Sequence, residues 1–296
     1  MRVGFIGIGA MGLPMAKNVI EGGHEVVTTF HRHREPADEL ASMGAEIKET
    51  PAEIARETEV VITVLPADPQ LKEVALGENG LIEGLSEGQV FIDMTTATAL
   101  SLAEIEEEFS GMGVQVLDAP VSGGTSGAKD GTLTIIVGGK EEVLEEYRPL
   151  LETMGETIFY VGGVGQGKVV KMVNQMLCGV HILAIGEAFA FGVKNGADPE
   201  VLYDVIKKSA GYSKQMDLRL PGFLLDGEFE AGFKLDLMKK DINLAVESAK
   251  EMSLPIFFSS LASQIFASAS KDGHGEDDFS LAAQYLADRL HADLSE

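Results

Sequence analysis

Two stretches of this chain hold residue types whose spacing could do chemistry. Gly165-Gln166-Gly167-Lys168-Val169-Val170-Lys171-Met172-Val173-Asn174-Gln175 reads as the opening of a long apolar helix. Lys171 and Asn174 stand three apart and share one face, which Cys178 continues. A lysine in such a helix needs a reason, because desolvating an ammonium is costly. Burial lowers its pKa, which suits a group that exchanges a proton near neutral pH. Spacing alone leaves two other readings open: a lysine snorkelling at a helix end, or one paired with a buried acid. The second stretch is Asp118-Ala119-Pro120-Val121-Ser122-Gly123-Gly124, at the end of an apolar strand signal. Its Ser-Gly-Gly turn can offer a hydroxyl and unobstructed backbone N–H groups to a small anion such as a carboxylate. An ordinary loop turn would read the same way.

The element that must position a reaction partner lies at the N-terminus. Val3-Gly4-Phe5-Ile6 is an apolar strand that runs into Gly7-Ile8-Gly9-Ala10-Met11-Gly12 and then a helix. Between a strand and a helix, Gly-x-Gly-x-x-Gly predicts a dinucleotide site. Gly7 permits the tight turn, Gly9 lets the backbone approach a pyrophosphate, and Gly12 lets helix and strand pack closely. The cofactor's ribose is sensed roughly 20 residues later, at the end of the second strand, where an acid selects NAD. Here the chain reads Thr29-Phe30-His31-Arg32-His33-Arg34. With no acid and two arginines, His31, Arg32 and Arg34 favour NADP over NAD. The competing reading is a solvated turn, since Glu35 and Asp38 follow.

Apolar, β-branched runs recur at 3–6, 26–30, 60–65, 90–92, 114–117, 132–137 and 158–161, with helical patterns between them. Strands apolar throughout and separated by helices predict a parallel sheet covered on both faces, a doubly wound (Rossmann) α/β domain. After Gly162-Gly163 the strand signals stop and helical segments follow. This predicts a dinucleotide-binding domain over 1–163 and an all-helical substrate and oligomerisation domain over 164–296. The latter opens with a helix apolar nearly all round, expected to be buried between other helices.

Composition narrows the class. With 296 residues, 45% hydrophobic, the chain is long enough for two folded domains. Its net charge, 23 minus 47 or -24, argues against nucleic acid or an anionic membrane as partner. Cys178 is the only cysteine, which leaves no disulfide framework, and the six histidines show no metal-ligand spacing, so no metal is expected. The first strand signal begins at residue 2, and Lys171, Asn174, Gln175, His181 and Glu187 interrupt the longest apolar run. The expectation is a cytoplasmic enzyme with no membrane segment.

Together the motifs resemble those of the β-hydroxyacid dehydrogenase family over essentially the whole chain. The resemblance rests on the N-terminal glycine loop, Asp118 to Gly124, Gly165 to Asn174, and Lys240-Asp241. It implies hydride transfer between a nicotinamide and a small carboxylate-bearing hydroxyacid or semialdehyde, by a homodimer or homotetramer. Lys171 is then the general acid/base, Asn174 orients substrate, and Ser122, Gly123 and Gly124 receive its carboxylate. Gln175, where many members have a second asparagine, falls on the substrate side. Leu65, Pro66, Thr95 and Thr96 become nicotinamide-side contacts, Phe233 and Lys240 close over the ring, and Asp241 supports them. An imine reductase on the same architecture and a non-catalytic dinucleotide-binding scaffold are the alternatives. Lys171 together with the Ser122–Gly124 loop argues against the first, and the Lys171/Asn174 pair against the second.

Overall fold

The computed structural model describes residues 1–292 and Leu294. They divide into two compact units, Met1–Lys171 and Met172–Glu296. The division falls inside a continuous helix, a few residues beyond the change of pattern at 163.

The first unit alternates strand and helix. It runs β1 (Arg2–Ile6), α1 (Gly12–Glu21), β2 (Glu25–Thr28), α2 (Glu35–Ser42), β3 (Glu46–Ile47), α3 (Pro51–Glu57), β4 (Val60–Thr63) and α4 (Asp68–Leu76). Then come β5 (Val90–Asp93), α5 (Ala99–Gly111), β6 (Gln115–Asp118), β7 (Val121–Ser122), α6 (Gly124–Asp130), β8 (Thr134–Val137), α7 (Glu141–Leu151) and β9 (Thr157–Tyr160). Six strands pair in parallel in the order β3-β2-β1-β4-β5-β6. Side chains alternate between two cores: Val3, Phe5, Val60, Ile62 and Ile92 on one face, Ile6, Val61 and Phe91 on the other. Burial on both faces explains why these strands carry no polar alternation.

The later strands depart from a single parallel sheet. β7, β8 and β9 form a separate three-stranded sheet, with β7 antiparallel to β8 and β8 parallel to β9. Pro120, which has no N–H to donate to a ladder, separates β6 from β7. An antiparallel bridge from Asp118 to Gly138 is where the two sheets touch.

The helix that leaves the first unit is α8 (Gln166–Lys194), 29 residues long. The second unit continues with α9 (Pro199–Ile206), α10 (Lys214–Arg219), α11 (Leu235–Glu251), α12 (Phe257–Ala269) and α13 (Leu281–Arg289). Its core gathers Ile182, Phe189, Met216, Leu220, Leu235, Ile242 and Phe266. Added Cβ atoms at Gly179 and Gly186 would lie 2.3 Å from Ile242 of α11 and 2.7 Å from Ala283 of α13, so these glycines set how closely α8 is packed.

The expectation that α8 is buried nearly all round is not met within this chain. Val169, Val170, Val173, Leu177 and Phe191 remain exposed, because its apolar residues extend beyond the stripe its neighbours cover. By length and mean hydropathy (1.8) α8 also meets the description of a membrane-crossing helix, contrary to the sequence expectation that no run is apolar enough. Length and composition alone give α8 this likeness. The first turns of α8 are tied into the polar interior of the first unit, as described next.

Candidate active site

At the switch point of the sheet, where β1 lies between β2 and β4, the loop 7–12 follows the carboxyl end of β1. Its three glycines serve different ends. Gly7 holds a φ of +97°, and an added Cβ would sit 2.2 Å from the Val64 carbonyl oxygen. At Gly12 an added Cβ would lie 1.9 Å from the Gly7 carbonyl oxygen, so helix and loop touch backbone to backbone. Gly9 is exposed, and a Cβ there would meet no protein atom within 4 Å. The fold itself therefore sets no demand for glycine at position 9. An open cradle beside the N-terminus of α1 fits the close approach of a pyrophosphate. Ile8 is buried and Met11 packs, half-buried, against the core below, while Ala10 is exposed; Met11 makes no side-chain capping bond.

β2 ends at Thr28, short of the sequence expectation, and His31, Arg32, His33 and Arg34 are all exposed. Arg34 packs over the Phe30 ring at 5.1 Å and pairs with Asp38 at 3.1 Å. Arg32 has no ion pair among the described residues.

A buried polar network that the sequence reading missed joins the strand ends to α8. β5 and β6 each end on an aspartate, Asp93 and Asp118, and both are fully buried. Lys168 Nζ, equally buried, lies 2.5 Å from Asp93 Oδ2 and also donates to the carbonyl oxygens of Asp93 (3.2 Å) and Thr95. An ammonium has three N–H donors, and here each has an acceptor. Asp93 Oδ1 accepts from Thr63 Oγ1 (2.7 Å) and the Thr95 N–H (3.1 Å). Thr95 Oγ1 in turn accepts from the Leu65 N–H at 3.0 Å. Leu65 and Thr95, two of the expected cofactor contacts, are thus cross-linked; Pro66 and Thr96 follow them, exposed and half-buried.

Asp118 caps the start of α8. Its carboxylate accepts from the N–H groups of Gly165 (2.7 Å) and Lys168 (2.8 Å), donors that a helix start otherwise leaves unmet. Burial pushes its carboxyl above the ordinary carboxylate range, against the pull of the Lys168 ammonium and those two N–H donors. Added Cβ atoms at Gly138 and Gly167 would lie 2.4 and 2.7 Å from this carboxylate, so the backbone must be bare on both sides. The acid partner that a buried lysine needs is supplied to Lys168 by Asp93. One turn further on, Lys171 is 8% exposed.

The Ser122 turn also lies in the first unit. Gly123 and Gly124 hold φ values of +141° and +66°, which require glycine, and they lead directly into α6. Ser122 is half-buried and Gly123 exposed.

In the second unit, Gln175 is buried and engaged at both ends of its amide. Its Nε2 donates to Asp241 Oδ2 (2.7 Å), and its Oε1 accepts from Asn174 Nδ2 (3.0 Å). Lys240 Nζ lies 3.0 Å from Asp241 Oδ1. Asp241 thus orients Asn174 through Gln175. The Phe233 ring meets Phe279 edge-on at 5.9 Å, and its N–H donates to Asp278 at 3.0 Å.

A 3-2-1-4-5-6 sheet with an open glycine cradle at its switch point defines a dinucleotide-binding Rossmann domain. Residues 2–162 match the family described as the NAD binding domain of 6-phosphogluconate dehydrogenase. Residues 165–286 match that described as NAD-binding of NADP-dependent 3-hydroxyisobutyrate dehydrogenase. The chain is 36% identical over 280 residues to 2-(hydroxymethyl)glutarate dehydrogenase of Eubacterium barkeri, covering 95% of this chain and 93% of that protein. It is 36% identical over 288 residues to 2-hydroxy-3-oxopropionate reductase of Escherichia coli strain K12, covering 97% of each. The structure of Mycobacterium tuberculosis 3-hydroxyisobutyrate dehydrogenase with L-serine superposes with a TM-score of 0.88 at 30% identity, covering 96% of this chain and 98% of that one. The chain belongs to the β-hydroxyacid dehydrogenase family and is a nicotinamide-dependent oxidoreductase acting on CH–OH groups.

Proposed function

We propose that this protein interconverts a small β-hydroxy acid and its semialdehyde, with Lys171 as the general acid/base and NADP as the preferred cofactor. The substrates in the two relatives' names, 3-hydroxyisobutyrate and the L-serine bound to the mycobacterial enzyme share one core. In the alcohol form it is HOCH2–CH(R)–COO⁻, with R a methyl, a carboxyethyl, a hydroxyl or an ammonium group. The Ser122-Gly123-Gly124 turn suits the shared carboxylate, and Lys171 the shared hydroxymethyl group. Asn174, steadied by Gln175 and Asp241, orients the substrate beside it.

The nicotinamide supplies the hydride acceptor in oxidation and the donor in reduction. In oxidation, neutral Lys171 takes the hydroxyl proton; in reduction, its ammonium returns a proton to the forming alkoxide. The observation that carries this assignment is the contrast between the two lysines near the start of α8. Lys168 spends its donors on Asp93 and Thr95 and so serves the fold, whereas Lys171, one turn on, shares a helix face with Asn174, which Gln175 and Asp241 hold. Lys171→Ala should still bind cofactor in a fluorescence titration while kcat falls by about 10²–10⁴-fold. Near-normal turnover would overturn the assignment.

The NADP preference is supported by the acid-free stretch after β2, with exposed Arg32 and Arg34. Arg34 is partly committed to Asp38, so Arg32 carries the larger share. The preference, read as the ratio of kcat/KM for NADPH over NADH, should fall at least about tenfold in Arg32→Ala/Arg34→Ala, the loss expected for a charge-assisted contact. An unchanged ratio would exclude both arginines.

A further inference from the structure

Arg219 ends α10, in the second unit, in an environment that pairing alone does not explain. Its guanidinium lies between the rings of Phe223 (4.9 Å) and Phe279 (4.8 Å), and its side chain is 16% exposed. Nη1 reaches Asp278 Oδ2 at 3.2 Å, and Nε, buried, meets no acceptor. Asp278 is itself heavily subscribed. Its Oδ2 also accepts from the N–H groups of Gly232 (3.2 Å) and Phe233 (3.0 Å). Its Oδ1 accepts from the N–H (3.0 Å) and hydroxyl (2.7 Å) of Ser280. Of the five donors on a guanidinium, Asp278 takes one, at a long distance. Burial pushes the Arg219 pKa below its ordinary value, with Asp278 and Cys178 pulling the other way.

One turn earlier on α10, Gln215 donates through Nε2 to Cys178 Sγ at 3.1 Å, and its Oε1 is buried without a donor. Cys178 also accepts from Asn174 Nδ2 at 3.7 Å. Asn174, Cys178, Gln215 and Arg219 therefore form a row that starts at the substrate-orienting asparagine and ends at a half-paired cation. Asn174 and Cys178 stand one turn apart on α8, and Gln215 and Arg219 one turn apart on α10, so the row advances about 6 Å along each helix. In a chain of net charge -24, a substrate with two carboxylates meets an unfavourable overall field and needs a local cation to hold the second.

We propose that Arg219 receives an anionic group at the end of the substituent R, so that the preferred substrate is a β-hydroxy acid bearing a second carboxylate. The inference rests on the β-hydroxyacid reading above and adds the chemical class of R. Asp278 and the two phenylalanine rings hold the guanidinium plane, which presents its remaining donors to the carboxylate.

The experiment compares kcat/KM for 2-(hydroxymethyl)glutarate and 3-hydroxyisobutyrate, which differ only in R, on the full-length protein with NADP. The wild type should favour the diacid. In Arg219→Met the diacid-to-monoacid ratio should fall about tenfold to hundredfold, the worth of a hydrogen-bonded charge pair, mainly through KM for the diacid. Arg219→Lys should keep part of the preference. If Arg219→Met lowers both substrates equally, or only lowers the melting temperature, Arg219 is a clamp for Asp278 and the proposal falls. Should that variant fail to fold, Arg219→Gln decides the matter: a drop in the same ratio supports the proposal, and equal losses overturn it. A wild type that prefers the monoacid overturns the proposal while leaving the β-hydroxyacid reading intact. Turnover of neither acid overturns both.

Discussion

Buried Lys168 and half-buried Arg219 each face a fully buried aspartate, yet they are satisfied to opposite degrees. Lys168 spends every ammonium donor on Asp93 and Thr95, and Asp93 is itself held by Thr63 and the Thr95 N–H. Arg219 spends one donor on Asp278 and leaves Nε without an acceptor. A closed network rigidifies what it connects, here α8 and the ends of β4 and β5. An open one is expensive to maintain, since an unmet buried polar group costs about 1–3 kcal/mol. At the guanidinium that expense is understandable where an anionic ligand supplies the missing acceptor. The comparison separates a cation that builds the site from one that reads the substrate.

The largest effect should come from opening the closed network. Lys168→Met keeps the aliphatic stem but leaves the Asp93 carboxylate buried without its cation. Breaking such a pair from one side typically costs about 3–5 kcal/mol, so chemical denaturation should show the first unit losing about that much stability. Removing both charges in Asp93→Asn/Lys168→Met should recover most of it, because no uncompensated charge then remains. A single variant within about 1 kcal/mol of wild type, the range of an exposed ion pair, would show that this network does not hold α8.

The same contrast explains what was legible in the sequence. The Gly7–Gly12 loop, the apolar strands and the long C-terminal helices are local patterns, set by neighbours within one turn or one strand, and the main sheet follows from them. Lys171 and the Ser122 turn were legible as candidates because their spacing lies within single segments. The Lys168–Asp93 pair was not, since its partners are 75 residues apart. Arg219 and Asp278, 59 apart, were equally hidden. One signal was available: β5 and β6 are apolar strands that each end on an aspartate, and buried acids at adjacent strand ends call for a cation or helix N–H groups. The second sheet was missed because strand periodicity does not say with which strand, or in which direction, a segment pairs.

A smaller pair of effects tests the same distinction between building and reading within the glycine loop. Gly12→Ala would force a Cβ to within 1.9 Å of the Gly7 carbonyl oxygen, so α1 and the loop must move apart. Overpacking of this kind costs about 1–3 kcal/mol, and the variant should melt earlier even without cofactor. Gly9→Ala meets nothing within 4 Å, and its φ is not in the left-handed region, so its stability should stay within about 0.5 kcal/mol of wild type. The added methyl should nevertheless occupy the space where the pyrophosphate approaches, weakening cofactor binding in a fluorescence titration. Unchanged cofactor affinity in Gly9→Ala would mean the open space at this glycine is not where the phosphates lie. Loss of stability there would mean position 9 belongs to the fold, as Gly12 does, and not to the ligand.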